Sequence, residues 1–245
     1  MCTLTWLVEP EGYSLVFNRD ELKTRQRALP PSLHSSESGV SFLSPTDTDA
    51  GGSWLAVNEY GLTICLLNNY DAPEPLPRHT HSRGEIVRTL ATSASLDELR
   101  SHLLSMSLTS YRGFDLVVFA NEITQFRWDT RELVEQQPVQ PLTSSSYKSE
   151  LVCEARRQHY ASLGPVTSLS QLEAFHASHL DENLAPVDGK PLYAHSVCVH
   201  RPDAETVSQC QVVVRPDIVS IGYRDGSPCT APLGAWLELQ RMAAA

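Results

Sequence analysis

The opening of the chain constrains the fold more than any other stretch. Cys2-Thr3-Leu4-Thr5-Trp6 alternates small or polar residues with apolar ones. After a break at Pro10-Glu11-Gly12, a second apolar run, Tyr13-Ser14-Leu15-Val16-Phe17, ends abruptly in Asn18-Arg19-Asp20-Glu21. Two such runs around a Pro/Gly turn predict an antiparallel hairpin. That pairing brings Cys2, at the start of one strand, to Asn18, Arg19 and Asp20 at the end of the other. A thiol, a guanidinium and a carboxylate then meet at one sheet end.

Cys2 has a chemistry that no internal cysteine shares. With Met1 removed, its thiol sits beside a free α-amine with a pKa of about 7.7–8.0. That amine can take the proton of its own side chain, as in N-terminal threonine nucleophiles. Arg19 nearby is expected to lower the thiol pKa, and Asp20 to orient the amine or the arginine. The alternative is an ordinary cysteine in second position, followed by a strand and a charged turn.

Met1-Cys2 with Asn18-Arg19-Asp20-Glu21 resembles the start of the NRDE family, also called the transport and Golgi organisation protein 2 family. A second block, Gly51-Gly52-Ser53-Trp54-Leu55 through Gly61-Leu62 to Asn68-Asn69-Tyr70, is similar to that family's Gly-Gly-Thr-Trp-Leu motif and its closing Asn-Tyr. Beyond residue 130 the likeness is poorer. A Gly-Leu-Ser-Asn block followed by Pro-Trp, expected of the eukaryotic branch, is absent, so the chain looks like a divergent, bacterial-type member. The family is similar at its start to N-terminal nucleophile hydrolases of the choloylglycine and penicillin V acylase type. This implies an α+β fold, a four-layer αββα sandwich, over a single domain, residues 1–245. It also implies Cys2 as nucleophile and base, Arg19 and Asp20 as its supports, and Asn68 as oxyanion donor. Asn18, Trp54 and Asn69 would contact substrate. In the acylases two residues separate the arginine from the aspartate. Here Arg19 and Asp20 are adjacent, and adjacent strand residues point to opposite faces.

Composition narrows the classes. The 245 residues are 41% hydrophobic and 20% charged, as in a soluble globular protein with a sizeable core. Apolar runs are far too short for a membrane span, and no basic segment followed by an apolar one marks a secretory signal. A net charge of −10 argues against nucleic acid or an anionic membrane surface as partner. The six cysteines show no Cys-x-x-Cys spacing, which suits reduced thiols in the cytoplasm. No metal and no cofactor are expected.

Taken in order, residues 29–52 read as a polar loop that forms one wall of a pocket or lies on the surface. Trp54–Val57 and Leu62–Leu67 read as strands, and Glu85–Ala91 as a helix. Ser95-Leu96-Asp97-Glu98 opens a second helix with Leu96, Leu99, Leu103 and Leu104 inward. Phe114–Ala120 and Ile123–Trp128 make a hairpin. Ser144–Ser146 are expected to cap a helix that ends before Gly164-Pro165. A capping pattern at Ser168–Gln171 opens another, with His176 and His179 on its surface. Residues 194–200, 207–214 and 217–223 read as strands.

Two functions follow. The first is a hydrolase that attacks a non-peptide amide through Cys2. The second is a non-catalytic carrier for haem or a lipid-like ligand, with His79, His81, His195 or Cys198 as pocket residues or ligands. Either way the partner is a small molecule.

Overall fold

The computed structural model describes residues 1–73, 81–180 and 195–243. His79 therefore lies outside the described residues. The first strands are β1 (Cys2–Glu9), β2 (Gly12–Leu22), β3 (Leu29–Ser35), β4 (Ser41–Thr46), β5 (Leu55–Asn58) and β6 (Thr63–Asn68). Helices α1 (Arg83–Leu90) and α2 (Leu96–Ser105) precede β7 (Phe114–Phe119), β8 (Ile123–Trp128), β9 (Leu133–Gln136) and β10 (Leu142–Ser144). Then come α3 (Ser149–Ser162), α4 (Leu169–His176), β11 (Ala204–Val214), β12 (Ile218–Asp225) and β13 (Leu237–Gln240). The fold is mixed α+β with two antiparallel sheets. Neighbouring strands run β10-β1-β2-β11-β12-β13 in one and β3-β4-β5-β6-β7-β8-β9 in the other.

The chain gathers into two compact units. The first comprises Met1–Arg25, Val139–Gln211 and Gly222–Ala235; the second comprises Gln26–Pro138, Val212–Ile221 and Trp236–Ala245.

In the first unit the expected hairpin forms, with Cys2 opposite Arg19 and Glu9 opposite Gly12. Helix α4 packs on β1 and β2, and α3 on β10. Leu4, Leu15, Val16 and Phe17 are fully buried, at about 1.5–3 kcal/mol each. A polar layer lies among them. Arg156 of α3 is fully buried, its Nη1 2.5 Å from Thr3 Oγ1 and 3.6 Å from an Asp20 carboxylate oxygen. Ser144–Ser146 do not cap α3: Ser144 ends β10, and the helix starts after Lys148 at φ +41°. The capping box at Ser168 and Gln171 is present. His176 is not on the surface; it is fully buried, its Nε2 2.8 Å from Thr5 Oγ1. The strand expected over 194–200 is not there among the described residues. Only His200 makes a bridge, to Glu205, because Val197, Cys198 and Val199 all turn inward to burial instead of alternating.

In the second unit, residues expected as a loop form β3 and β4, paired from Leu29–Thr46 to Ser35–Ser41. Pro30 and Pro31 are tolerated because β3 is an edge strand with no partner on its outer side among the described residues. Helix α1 packs on β5 and β6, and α2 on α1. Ser95 accepts from the Glu98 amide, while the Glu98 carboxylate accepts from Ala94 N, one residue before the reciprocal position. Leu99 and Leu103 are fully buried, one helical turn apart; Leu104 points to solvent, 67% exposed. They join Phe42, Ile64, Leu90, Phe114, Leu116 and Phe126 in one core. Gly51 sits at φ +69°, and at Gly52 the cause is steric. A Cβ on Gly52 would lie 2.6 Å from the Gly84 carbonyl carbon, where Ser53 N donates to Gly84 O at 3.1 Å.

Candidate active site

Backbone hydrogen bonds decide what Cys2 faces. Met1 N donates to Asp20 O, and Asp20 N to Met1 O, both at 2.9 Å. Met1 and Asp20 are thus a hydrogen-bonded pair. Cys2 and Arg19, one step inward, are the non-hydrogen-bonded kind, whose side chains approach most closely. Cys2 turns its own backbone polar groups the other way, toward Ser144 of β10. Arg19 and Ser144 therefore flank the thiol on its own face of the sheet.

Sequence reasoning missed Ser144. It is buried, and its Oγ has no hydrogen-bond partner among the described residues. Its place became visible only through β10, a strand of three residues whose pattern carries no signal.

Burial pushes the Cys2 thiol up to about 11, despite the opposing charge of the chain's amine. Asp20 and Glu21 push the same way; Arg19 lowers it as expected, but with the smallest effect, so burial wins. The arginine is spent locally: its guanidinium lies 3.4 Å from the Glu21 carboxylate, itself 3.7 Å from Arg25. With Met1 in place the thiol is neutral at physiological pH. Met1 is itself held, buried, with Ser145 Oγ 3.2 Å from its sulfur.

Asp20 is on the opposite face. Its carboxylate takes a hydrogen bond from Thr206 Oγ1 at 2.6 Å and faces Arg156. Asn18 shares that face and is fully buried. Its amide donates to His176 O and Val197 O, and its oxygen accepts from Gln209. These contacts clamp β2 to α4 and to the 195–199 segment.

Asn68, Asn69 and Trp54 belong to the second unit. Asn68 ends β6 and donates to Tyr70 Oη at 2.9 Å. Asn69 is buried, bonded to Trp128 O and to the Asp71 amide. Trp54 is buried immediately before β5. Of the histidines considered as ligands, His81 pairs with Glu85 at 3.6 Å. His195 offers its carbonyl to Arg156 Nε at 3.4 Å, and burial followed by the Arg156 charge lowers its pKa. Cys198 lies within reach of His179, His200 and Cys229, a grouping that no spacing along the chain announces.

The model of the family described as Transport and Golgi organisation 2 matches residues 1–162. The chain belongs to that family. A relative from Bos taurus, transport and Golgi organization protein 2 homolog, is 31% identical over 126 residues, 48% of this chain and 44% of that protein. The match thus spans less than half of the relative's length. Among solved structures, the chain is similar to a mutant of conjugated bile acid hydrolase from Clostridium perfringens. That match has 13% identity and a TM-score of 0.48, covering 96% of each chain. A second variant of the same enzyme gives 11% identity and a TM-score of 0.49, covering 100% of this chain and 99% of that one. Among the described residues, no helix is long and apolar enough to cross a membrane.

Proposed function

We propose that the protein is an N-terminal cysteine hydrolase acting on a non-peptide amide, activated by loss of Met1. The observation that carries this reading is the close Cys2–Arg19 pair at the start of β1, with the Ser144 hydroxyl on the other side. Loss of Met1 creates the α-amine on Cys2 itself, on the strand edge that faces β10. There Ser144 stands ready to accept a hydrogen bond from the amine and hold it toward the thiol. The amine takes the thiol proton as sulfur attacks the acyl carbon, and returns it to the leaving amine. Water then releases the acyl group. Asn68 is proposed as oxyanion donor and Trp54 and Asn69 as substrate contacts, on the strength of the family resemblance alone, while Asn18, buried and bonded on the face opposite Cys2, holds the strand instead of touching substrate. The αββα layering, a small amide or lipid-like ligand and cytoplasmic residence belong to the same proposal. Asp20 acts from the opposite face, as a support of the strand.

A second reading rests on the neutral, buried thiol. A chain that keeps Met1 has no nucleophile, and would serve as a carrier of haem or a lipid-like ligand, as the family resemblance implies.

The deciding experiment is an amide panel of N-acyl amino acids and acyl homoserine lactones, assayed with wild type, Cys2→Ser and Cys2→Ala. Turnover by wild type alone supports the hydrolase. Equal inactivity of all three, with the same co-purified ligand, overturns it in favour of the carrier.

A further inference from the structure

A second cluster of reactive side chains lies in the first unit, apart from Cys2 in sequence and unused by the proposed hydrolysis. His179, Cys198, His200 and Cys229 each offer one ligand atom, and these atoms all lie within 4.8 Å of one another. Backbone contacts assemble them. Cys198 N donates to Ser178 O at 3.0 Å, which carries His179 to the cysteine. Cys198 and His200 come together directly, His200 Nε2 3.5 Å from Cys198 Sγ. The bridge from His200 to Glu205 fixes that segment against the start of β11. Cys229 arrives on a turn in which Thr230 N and Ala231 N donate to Ser227 O, while Ser227 Oγ donates to Thr206 O.

The spacing is near that of a coordination shell, and small side-chain shifts would close it. His200 Nε2 lies 3.2 Å from Cys229 Sγ and 3.5 Å from Cys198 Sγ. A tetrahedron with bonds of about 2.3 Å to sulfur and 2.0–2.1 Å to nitrogen puts its ligand atoms roughly 3.3–3.8 Å apart. The two imidazoles are tilted by 47° with centroids 5.1 Å apart, not stacked face to face. Both thiols are free, so they have not closed on each other as a disulfide.

We propose that His179, Cys198, His200 and Cys229 bind one zinc ion in a four-ligand, structural site. Two thiolates with two imidazoles are a donor set suited to Zn(II), and four protein ligands leave no open position for catalysis. On binding, each thiol releases its proton to solvent and each sulfur gives a lone pair to the metal; nothing is oxidised or reduced. Two thiolates balance the dication, so the site ends neutral. Cys198 is fully buried, so its sulfur would face the ion from the interior side of the site, and binding as thiolate couples the affinity to pH. The ion would tie together the segment after α4, the segment before β11 and the turn after β12.

The test uses tag-free protein, kept reduced, incubated with zinc chloride and desalted. Elemental analysis should find about one zinc per chain, the count for a single four-ligand site. Cobalt(II) in its place should give thiolate-to-metal charge-transfer absorption and the intense visible bands of a tetrahedral site. His179→Ala and Cys229→Ser remove exposed or half-buried side chains, so the fold should survive. Each should weaken zinc binding by more than roughly tenfold, because losing a group that merely orients a ligand already costs about 10–100-fold. Cys198→Ser should do the same and abolish one of the two charge-transfer contributions. Cys2→Ala should keep its zinc, which separates this proposal from the hydrolase reading. The proposal is overturned if reduced wild type retains no zinc, or if Cys229→Ser binds it as tightly as wild type. A Cys198–Cys229 disulfide that persists under reductant also overturns it.

Discussion

Replacing Asp20 by Asn tests what the first acidic residue of the Asn18–Glu21 block does. The change keeps shape and removes one charge. It leaves Arg156, fully buried, without its carboxylate at 3.6 Å, and weakens the acceptor of the 2.6 Å bond from Thr206. Removing one partner of a buried ion pair costs about 3–5 kcal/mol, because the other charge stays buried. With a urea slope near the upper end of the range, about 3 kcal/mol/M, the midpoint should fall by roughly 1–1.7 M. Arg156→Met should be similarly destabilising. The double variant should recover part of the loss, with a coupling of about 0.5–3 kcal/mol. Urea titration followed by circular dichroism measures all four proteins. Thiol labelling of folded Asp20→Asn should quicken modestly, since the lost charge no longer raises the Cys2 thiol pKa across the sheet. An Asp20→Asn protein as stable as wild type, or losses that simply add, would refute the assignment of Asp20 to the interior.

His176 is buried and neutral, its pKa lowered to about 3 by burial and then by the Arg156 charge. Its unfolded value is higher, so its contribution is complete above about pH 6.5 and is lost as pH falls toward 3, at about 1.4 kcal/mol per unit. His176→Gln should flatten the pH dependence of the urea midpoint between pH 7 and 5; an unchanged slope would contradict this. Gly52→Ala should cost about 1–3 kcal/mol, because the new methyl meets the Gly84 backbone at 2.6 Å and neither the segment before β5 nor the first turn of α1 can yield cheaply. A neutral Gly52→Ala in thermal melts would show that the contact relaxes.

Elements built from local pattern were legible in the sequence. The opening hairpin, the β5–β6 and β7–β8 pairs, and the Ser95 and Ser168 helix starts follow from alternation, turn residues and caps within a few positions. The β3–β4 hairpin was not, because Pro30, Pro31 and a run of serines look like loop, and only an edge position excuses them. Residues 195–200 alternate on paper, yet burial of three consecutive side chains, Val197 to Val199, overrides the pattern. For the site, the Cys2–Arg19 pairing was legible because hairpin register sets it. The neutral thiol was not, since Glu21 beside Arg19 and burial around Cys2 are tertiary facts. Ser144 and the His179–Cys198–His200–Cys229 cluster were hidden for the same reason: their partners lie on distant segments, at spacings that match no motif.

The central claim is that Cys2 becomes a nucleophile once Met1 is gone. Protein made with a cleavable leader, cut to leave either Cys2 or Met1 first, isolates that one change. Each form is incubated with a thiol-acylating amide analogue and read by intact mass and peptide mapping. The account predicts one adduct per chain on Cys2 in the Met-free form, and little or none at neutral pH in the form that keeps Met1, whose thiol burial pushes up to about 11. Equal labelling of the two forms, or a Met-free Cys2 that stays unmodified while other cysteines react, would contradict it.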